Sequence, residues 1–291
     1  MKRQMNGALL SGIRFASPFV LRTVRPQPKE VASNRVIAFR RLGKRIAIGL
    51  EGEHWIVVHL MIAGRFRWSH GVEEKIPGRV GLAAFDFDRG TLLLTEASKK
   101  KRAQVHLVTG TAALEALDPG GLDVFSIDGA SFAARLRATN HTLKRSLTDP
   151  RIFSGIGNAY SDEILHRARL SPVGLSQRLD DAAVERLFDA CRTVLQEWTE
   201  RFMMELEHHG FPRKVTAFRP EMAVHGKYGQ PCPDCSQPVQ RIRYATRETN
   251  YCPACQTGGK LLADRALSRL LKKDWPRTLE ELESHKATRR N

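Results

Sequence analysis

The stretch Phe153-Ser-Gly-Ile-Gly-Asn-Ala-Tyr-Ser-Asp-Glu163 sets two glycines immediately ahead of a helix. Gly155 and Gly157 permit a sharp turn and let the backbone come close to a ligand. The first amides of the helix that follows have no partner within it and carry partial positive charge, so they suit a phosphate. Asn158 stands at the helix entrance, where its side-chain amide can donate to the same anion. A plainer reading also holds: Asn158 caps the helix, and Asp162 and Glu163 oppose its dipole. Taken alone, the stretch leaves both open.

Downstream, Ala159–Arg169 reads as a helix stopped near Pro172. A longer helix follows, because Val184, Leu187, Phe188, Cys191, Val194, Leu195, Trp198 and Phe202 recur at spacings of three and four. Asp180 or Asp181 caps its start, and Gly210 with Pro212 closes it. Cys191 lies on this apolar stripe and reads as a buried core thiol, not a nucleophile. Beyond it stand Cys232-Pro-Asp-Cys235 and Cys252-Pro-Ala-Cys255, 16 residues apart. Two residues between cysteines let each pair turn both sulfurs toward one ion. Four thiolates then complete tetrahedral zinc with no open position, so the ion folds a ribbon and performs no catalysis. Pro238–Tyr251, between the pairs, suits a two-stranded hairpin. Arg241 and Arg243 are two apart and share a strand face. With Arg247, Lys227 and Lys260 they form a basic finger fit for phosphates. The alternative is an edge strand guarded by charge.

Upstream, Arg35–Arg41, Arg45–Leu50, Trp55–Leu60, Gly81–Phe87, Thr91–Thr95 and Gln104–Val108 are short runs of β-branched and large apolar residues separated by turn signals. Strands this close, with no helix between them, predict an antiparallel sandwich. Asp118-Pro-Gly-Gly-Leu-Asp123 reads as the linker out of it. The fold class is therefore α+β. The expected domains are a β-sandwich over 1–118, a helical domain over 124–222, a zinc ribbon over 223–259 and a basic tail over 260–291. In that tail Arg265, Arg269, Lys272 and Lys273 fall on a predicted helix.

The chain has 291 residues, with 47 Lys plus Arg against 31 Asp plus Glu, a formal charge of +16. That excess points to a polyanion, nucleic acid before an acidic membrane. No run approaches the ~20 apolar residues of a membrane helix. No secretory pattern is read in residues 1–24. The cysteines read as metal ligands of a reducing compartment, and the expected location is cytoplasmic, with the nucleoid.

Three segments together resemble the formamidopyrimidine-DNA glycosylase / endonuclease VIII family. Leu147–Glu163 with Ser171-Pro172 resembles its helix-two-turn-helix segment. Val224–Cys232 and Thr246–Cys252 resemble its zinc ribbon. Arg40-Arg-Leu-Gly-Lys-Arg45 and His59-Leu-Met-Ile-Ala-Gly-Arg65 are similar to strands of its sandwich. The likeness spans about residues 10–259, with its landmarks in family order. It implies a base-excision-repair DNA glycosylase and abasic-site lyase acting on oxidised or abasic double-stranded DNA as a monomer, with one structural zinc ion. Lys44 matches the hairpin lysine that contacts DNA and assists the chemistry. Asn158 matches the phosphate-binding asparagine beside Gly155 and Gly157. Arg247 matches the ribbon arginine that grips phosphates beside the lesion. Cys232, Cys235, Cys252 and Cys255 match the zinc ligands.

In the family an N-terminal proline followed by glutamate supplies the attacking amine and a proton shuttle. This sequence opens Met1-Lys-Arg-Gln-Met-Asn-Gly, and the helix that precedes the Leu10–Arg14 region in the family is missing or replaced. Two readings follow: a true start further upstream, or a chain that recognises distorted DNA without cutting it. Glu96–Arg102, in the place of the family's void-filling loop, is basic and has no aromatic wedge, leaving Met61 and Ile62 to enter the duplex. With the Phe211–Val224 segment, too short for a long lesion-covering loop, this argues against a preference for 8-oxoguanine and leaves oxidised pyrimidines or abasic sites open. A structural zinc protein of ribonucleoprotein particles accounts for charge and cysteines, but for neither the glycine turn nor the strands.

Overall fold

The computed structural model describes residues 2–211, 218–244, 247–263 and 276–288. These divide into two compact units, Met1–Gly120 with Phe202–Val215, and Gly121–Arg201 with Thr216–Asn291.

The first unit opens with a single helical turn, α1 (Lys2–Met5), which sends Met5 into the core. Eight strands follow: β1 (Leu9–Phe15), β2 (Asn34–Leu42), β3 (Arg45–Leu50), β4 (His54–His59), β5 (Gly64–Ser69), β6 (Gly81–Phe87), β7 (Gly90–Glu96) and β8 (Gln104–Thr109). Short helices α2 (Pro28–Val31) and α3 (Thr111–Glu115) flank them. The strands are antiparallel in the order β5-β7-β6-β1-β2-β3-β4-β8. Between β1 and β2 only Leu9↔Arg35 and Leu10↔Asn34 pair. The sheet turns over at this weak joint, and both halves feed one core. Phe85, Leu92 and Leu94 come from one half, Ile48, Ile56 and Val105 from the other. That is a sandwich, as the strand spacing predicts. On the outer face Leu114 of α3 closes a smaller cluster with Ala47, Val57 and Val108.

Strand β6 is buried along its whole length, so its charge has to be matched. Asp86 takes Arg14 Nε at 2.7 Å and Nη2 at 2.8 Å, and the Thr91 hydroxyl at 2.9 Å. Two strands escape the sequence pattern. β1 carries Ser11-Gly12 in its middle, and β5 carries Arg65 and Arg67, so neither presents a long apolar run. The His59–Arg65 segment is not a strand: it is the end of β4, a turn, and the first residues of β5.

The second unit holds α4 (Gly129–Arg137), α5 (Leu143–Thr148), α6 (Asn158–Arg167), most of α7 (Asp181–His209), the hairpin β9 (Gln240–Tyr244) and β10 (Arg247–Tyr251), α8 (Pro253–Thr257) and α9 (Leu279–Thr288). Its helical core is aromatic. Phe132 stacks on Phe153 with centroids 4.6 Å apart and meets Phe188 at 5.0 Å. Cys191 is fully buried on α7, and burial pushes its thiol up, as a core sulfur requires. Among the described residues no helix is long and apolar enough to cross a membrane. The predicted tail helix with Arg265, Arg269, Lys272 and Lys273 lies outside the described residues, as does 212–217 of the Phe211–Val224 segment.

Candidate nucleic-acid interface and metal centre

Gly155 has φ 84, a conformation that L side chains rarely adopt, so the turn depends on glycine there. Gly157 differs. Its φ is −111, and a Cβ added to it would meet no atom within 4 Å. Packing inside the protein thus gives no reason for a glycine at 157, and the space over it is open. Gly157 is the N-cap of α6, so the amides at the start of that helix have no partner within it.

Asn158 is exposed, and its Nδ2 donates to the carbonyl oxygen of Glu248 at 3.0 Å. Glu248 follows Arg247 on β10. The glycine turn and the start of the second ribbon strand are therefore tied by one side chain across 90 residues of sequence. The backbone of Arg247 pairs with Tyr244; its side chain lies outside the described residues. Arg241 and Arg243 do share a face, with buried Ile242 on the other. Both reach Glu248 Oε2, at 3.3 Å and 3.5 Å, and Arg241 also lies over the Tyr228 ring at 4.1 Å. Lys227 donates to the Pro220 carbonyl at 2.9 Å.

Asp162 and Glu163 do not act as surface charges opposing a dipole. Both are buried. Glu163 Oε2 accepts the amide of Ala223 at 2.7 Å, and Oε1 accepts those of Val224 and His225 at 3.0 Å and 2.9 Å. Asp162 Oδ1 pairs with Lys144 Nζ at 2.5 Å, and Oδ2 meets His225 Nδ1 at 2.7 Å. Lys144 also donates to the Asn158 carbonyl at 2.8 Å. Burial pushes the Lys144 ammonium down, and Asp162 opposes that. These residues bind the ribbon's leading segment to α6. Nothing in the sequence pattern gives Lys144 or His225 a role.

The four cysteines converge. Cys232, Cys235, Cys252 and Cys255 offer sulfurs that all lie within 4.8 Å of one another, with Cys232 to Cys255 at 3.9 Å and Cys235 to Cys252 at 3.4 Å. Local backbone sets each pair. The Ser236 amide donates to the Cys232 carbonyl at 2.9 Å, and Cys252 stands ahead of α8 with Pro253 at its first position. Burial and neighbouring sulfurs push the Cys252 thiol up to about 12. Sulfurs so placed need a cation before they can all ionise, and four thiolates at this spacing are able to bind one zinc ion. Cys232 and Cys252 form the ribbon's small core with Val224 and Val239.

In the first unit, Lys44 is exposed at the tip of the β2–β3 hairpin. Leu42↔Arg45 is the last pair, leaving a two-residue loop with Gly43 at φ 60. Met61 and Ile62 sit on the turn after β4 and are 39% and 65% exposed. Met61 holds φ 55, unusual for a non-glycine residue, and its amide donates to His59 Nδ1 at 2.9 Å. Burial, then Arg45 and Lys44, push His59 down to about 4. The base of the 97–103 loop is pinned by Glu96, which accepts the Arg102 and Ala103 amides at 2.8 Å and 2.9 Å.

Comparison with known proteins covers all three sequence landmarks. Family models described as formamidopyrimidine-DNA glycosylase N-terminal domain, formamidopyrimidine-DNA glycosylase H2TH domain, and zinc finger found in FPG and IleRS match residues 1–112, 120–205 and 229–258. A formamidopyrimidine-DNA glycosylase of Heliobacterium modesticaldum is 33% identical over 257 residues, 85% of this chain and 89% of its own length. A formamidopyrimidine-DNA glycosylase-like protein of Mycobacterium tuberculosis is 39% identical over 165 residues, 57% of this chain and 100% of its own length. Among solved structures, a Lactococcus lactis formamidopyrimidine-DNA glycosylase non-covalently bound to DNA containing an abasic site superposes with a TM-score of 0.75. It is 22% identical, covering 88% of this chain and 94% of that one.

Proposed function

The chain belongs to the formamidopyrimidine-DNA glycosylase family, and from that premise we propose that it is a base-excision-repair DNA glycosylase and abasic-site lyase acting on oxidised or abasic duplex DNA. The observation that carries this reading is the Asn158–Glu248 bond. It joins an amide-lined, sterically open glycine turn to the strand that bears Arg247, so both can serve one kinked phosphate run. Zinc would hold the ribbon strands in place and would take no part in bond breaking.

In this proposal Asn158 and the first amides of α6 hold phosphates, and Arg247 and Arg243 add charge from the ribbon. Lys44 meets the DNA from the sandwich hairpin, and Met61 and Ile62 fill the space left by the everted nucleotide. The reaction class is attack by an amine on C1′ of the everted sugar, with formation of an iminium, loss of the base and strand cleavage.

The test is borohydride trapping on duplex DNA with an abasic site, using the chain from Met1 and a version extended to any in-frame upstream start. A reduced covalent adduct supports the enzyme. Binding to an abasic analogue with no adduct from either version assigns the chain to damage recognition without cutting. Failure to bind, or binding indifferent to salt, overturns both readings, since phosphate contacts release counterions.

A further inference from the structure

One buried side chain beside the cysteines has no part in phosphate binding or in tying the ribbon's leading segment to α6. His166, on the last turn of α6, is 4% exposed. Its Nε2 lies 3.2 Å from Cys232 Sγ and 3.9 Å from Asp234 Oδ2. An imidazole nitrogen, an Asp234 oxygen and Cys255 Sγ all stand within 4.8 Å of one another. A buried imidazole needs a polar partner, and here that partner is a zinc-ligating sulfur. The preceding residues of α6, Ile164 and Leu165, are fully buried apolar groups, so an apolar side chain would serve packing as well.

With Zn–S near 2.3 Å and Zn–N near 2.0 Å, neighbouring ligand atoms of a tetrahedral zinc stand about 3.5–3.8 Å apart. The 3.2 Å contact puts Nε2 close to that separation from Cys232. It therefore lies at the rim of the four-sulfur set, against Cys232 Sγ. Zinc accepts three cysteines and one histidine as readily as four cysteines. A site of four thiolates also carries excess negative charge, which a donated N–H relieves.

We propose that His166 belongs to the metal centre as an outer donor and reserve ligand. With four thiolates in place, its Nε2–H donates to Cys232 Sγ. When that sulfur leaves the metal, it takes the Nε2 proton and departs as a neutral thiol, and the zinc–sulfur bond is exchanged for a zinc–Nε2 bond. Nδ1 takes a proton from solvent, so the imidazole stays neutral. Helix α6 holds the histidine rigidly enough for this, because Asn158, Asp162 and Glu163 on the same helix are each bonded to the ribbon or its leading segment.

The experiment uses the full chain with zinc or cobalt(II) alone as the probe. His166→Phe keeps all four cysteines. It should release zinc to a chromophoric chelator about tenfold faster or more, in the range that outer-shell partners control, and should shift the thiolate-to-cobalt charge-transfer band. His166→Gln, which keeps a donor, should restore most of the release rate. Cys232→Ala should still bind one equivalent of cobalt(II) with a tetrahedral spectrum, and Cys232→Ala/His166→Phe should not. On a Cys235→Ala background the histidine change should matter no more than in the parent. Unchanged zinc release and an unchanged cobalt spectrum in His166→Phe would overturn the proposal. So would equal cobalt binding by Cys232→Ala with and without His166.

Discussion

Replacing Glu163 by glutamine tests how the ribbon is held to the helices. The carboxylate is buried and accepts three backbone amides in a row, from Ala223, Val224 and His225. Glutamine keeps the shape and one acceptor oxygen. That oxygen can retain Val224 and His225, but the new NH2 group then faces the Ala223 amide, donor against donor. A buried donor without a partner costs about 1–3 kcal/mol, and the two remaining bonds lose their charge assistance, each about 1 kcal/mol weaker. The expected loss is about 3–5 kcal/mol. Alanine, which strands all three amides, should cost about 3–9 kcal/mol, toward the lower end where water enters. Urea unfolding of the zinc-loaded chain gives the size of the effect. Amide hydrogen exchange gives its place, since protection at 223–225 should fall before protection in α7. A loss under about 0.5 kcal/mol for Glu163→Gln, or unchanged exchange at those amides, would show that the carboxylate is not what anchors this segment.

Three further outcomes follow from the same geometry. Asn158→Ala removes the bond to Glu248 and an anion donor, so affinity for an abasic-analogue duplex should fall about tenfold, ~1.4 kcal/mol; equal affinities in a fluorescence titration would count against the interface. Asn250 is 1% exposed, with neither side-chain polar atom partnered; Asn250→Leu should be neutral or raise stability by about 1–2 kcal/mol in thermal melts, and a clear loss would refute it. His59 is held down to about 4 from an ordinary 6.5, so between those values the unfolded chain binds the proton first. Stability from this group is complete above pH 6.5 and drains away as pH falls toward 4. After discounting for solvent screening that is about 1–2 kcal/mol. The difference between the parent and His59→Gln, measured by urea unfolding at about pH 7 and about pH 5, should shrink at the lower pH; a constant difference would exclude the effect.

What the sequence discloses here is periodic or punctuated. Six strands are legible because β-branched runs alternate with turn residues, and α7 is legible because eight apolar residues keep one face over its length. The cysteine pairs carry their chemistry in their spacing. β1 and β5 are hidden for opposite reasons. In β1 the Ser11-Gly12 pair interrupts the run just where the register with β6 shifts. In β5 the arginines mask an alternation whose buried members are Gly64 and Phe66.

The residues that hold the candidate site together escaped for a deeper reason. α6 is buried on nearly all sides, so Asp162, Glu163 and His166 sit among Ile164 and Leu165 with no polar face to occupy. Charged residues in such a helix must have partners. That much can be read from Ser161-Asp-Glu-Ile-Leu-His166. The partners cannot, because they lie 18, 60 and 66 residues away at Lys144, Ala223 and Cys232, and only the fold brings them near. Local pattern thus announces where a phosphate or a metal can be received. The binding of turn, ribbon and metal to one helix is a property of long-range pairing. A substitution inside α6 should therefore disturb ribbon and turn together, whereas one at an exposed ribbon arginine such as Arg243 should lower DNA affinity and leave unfolding unchanged.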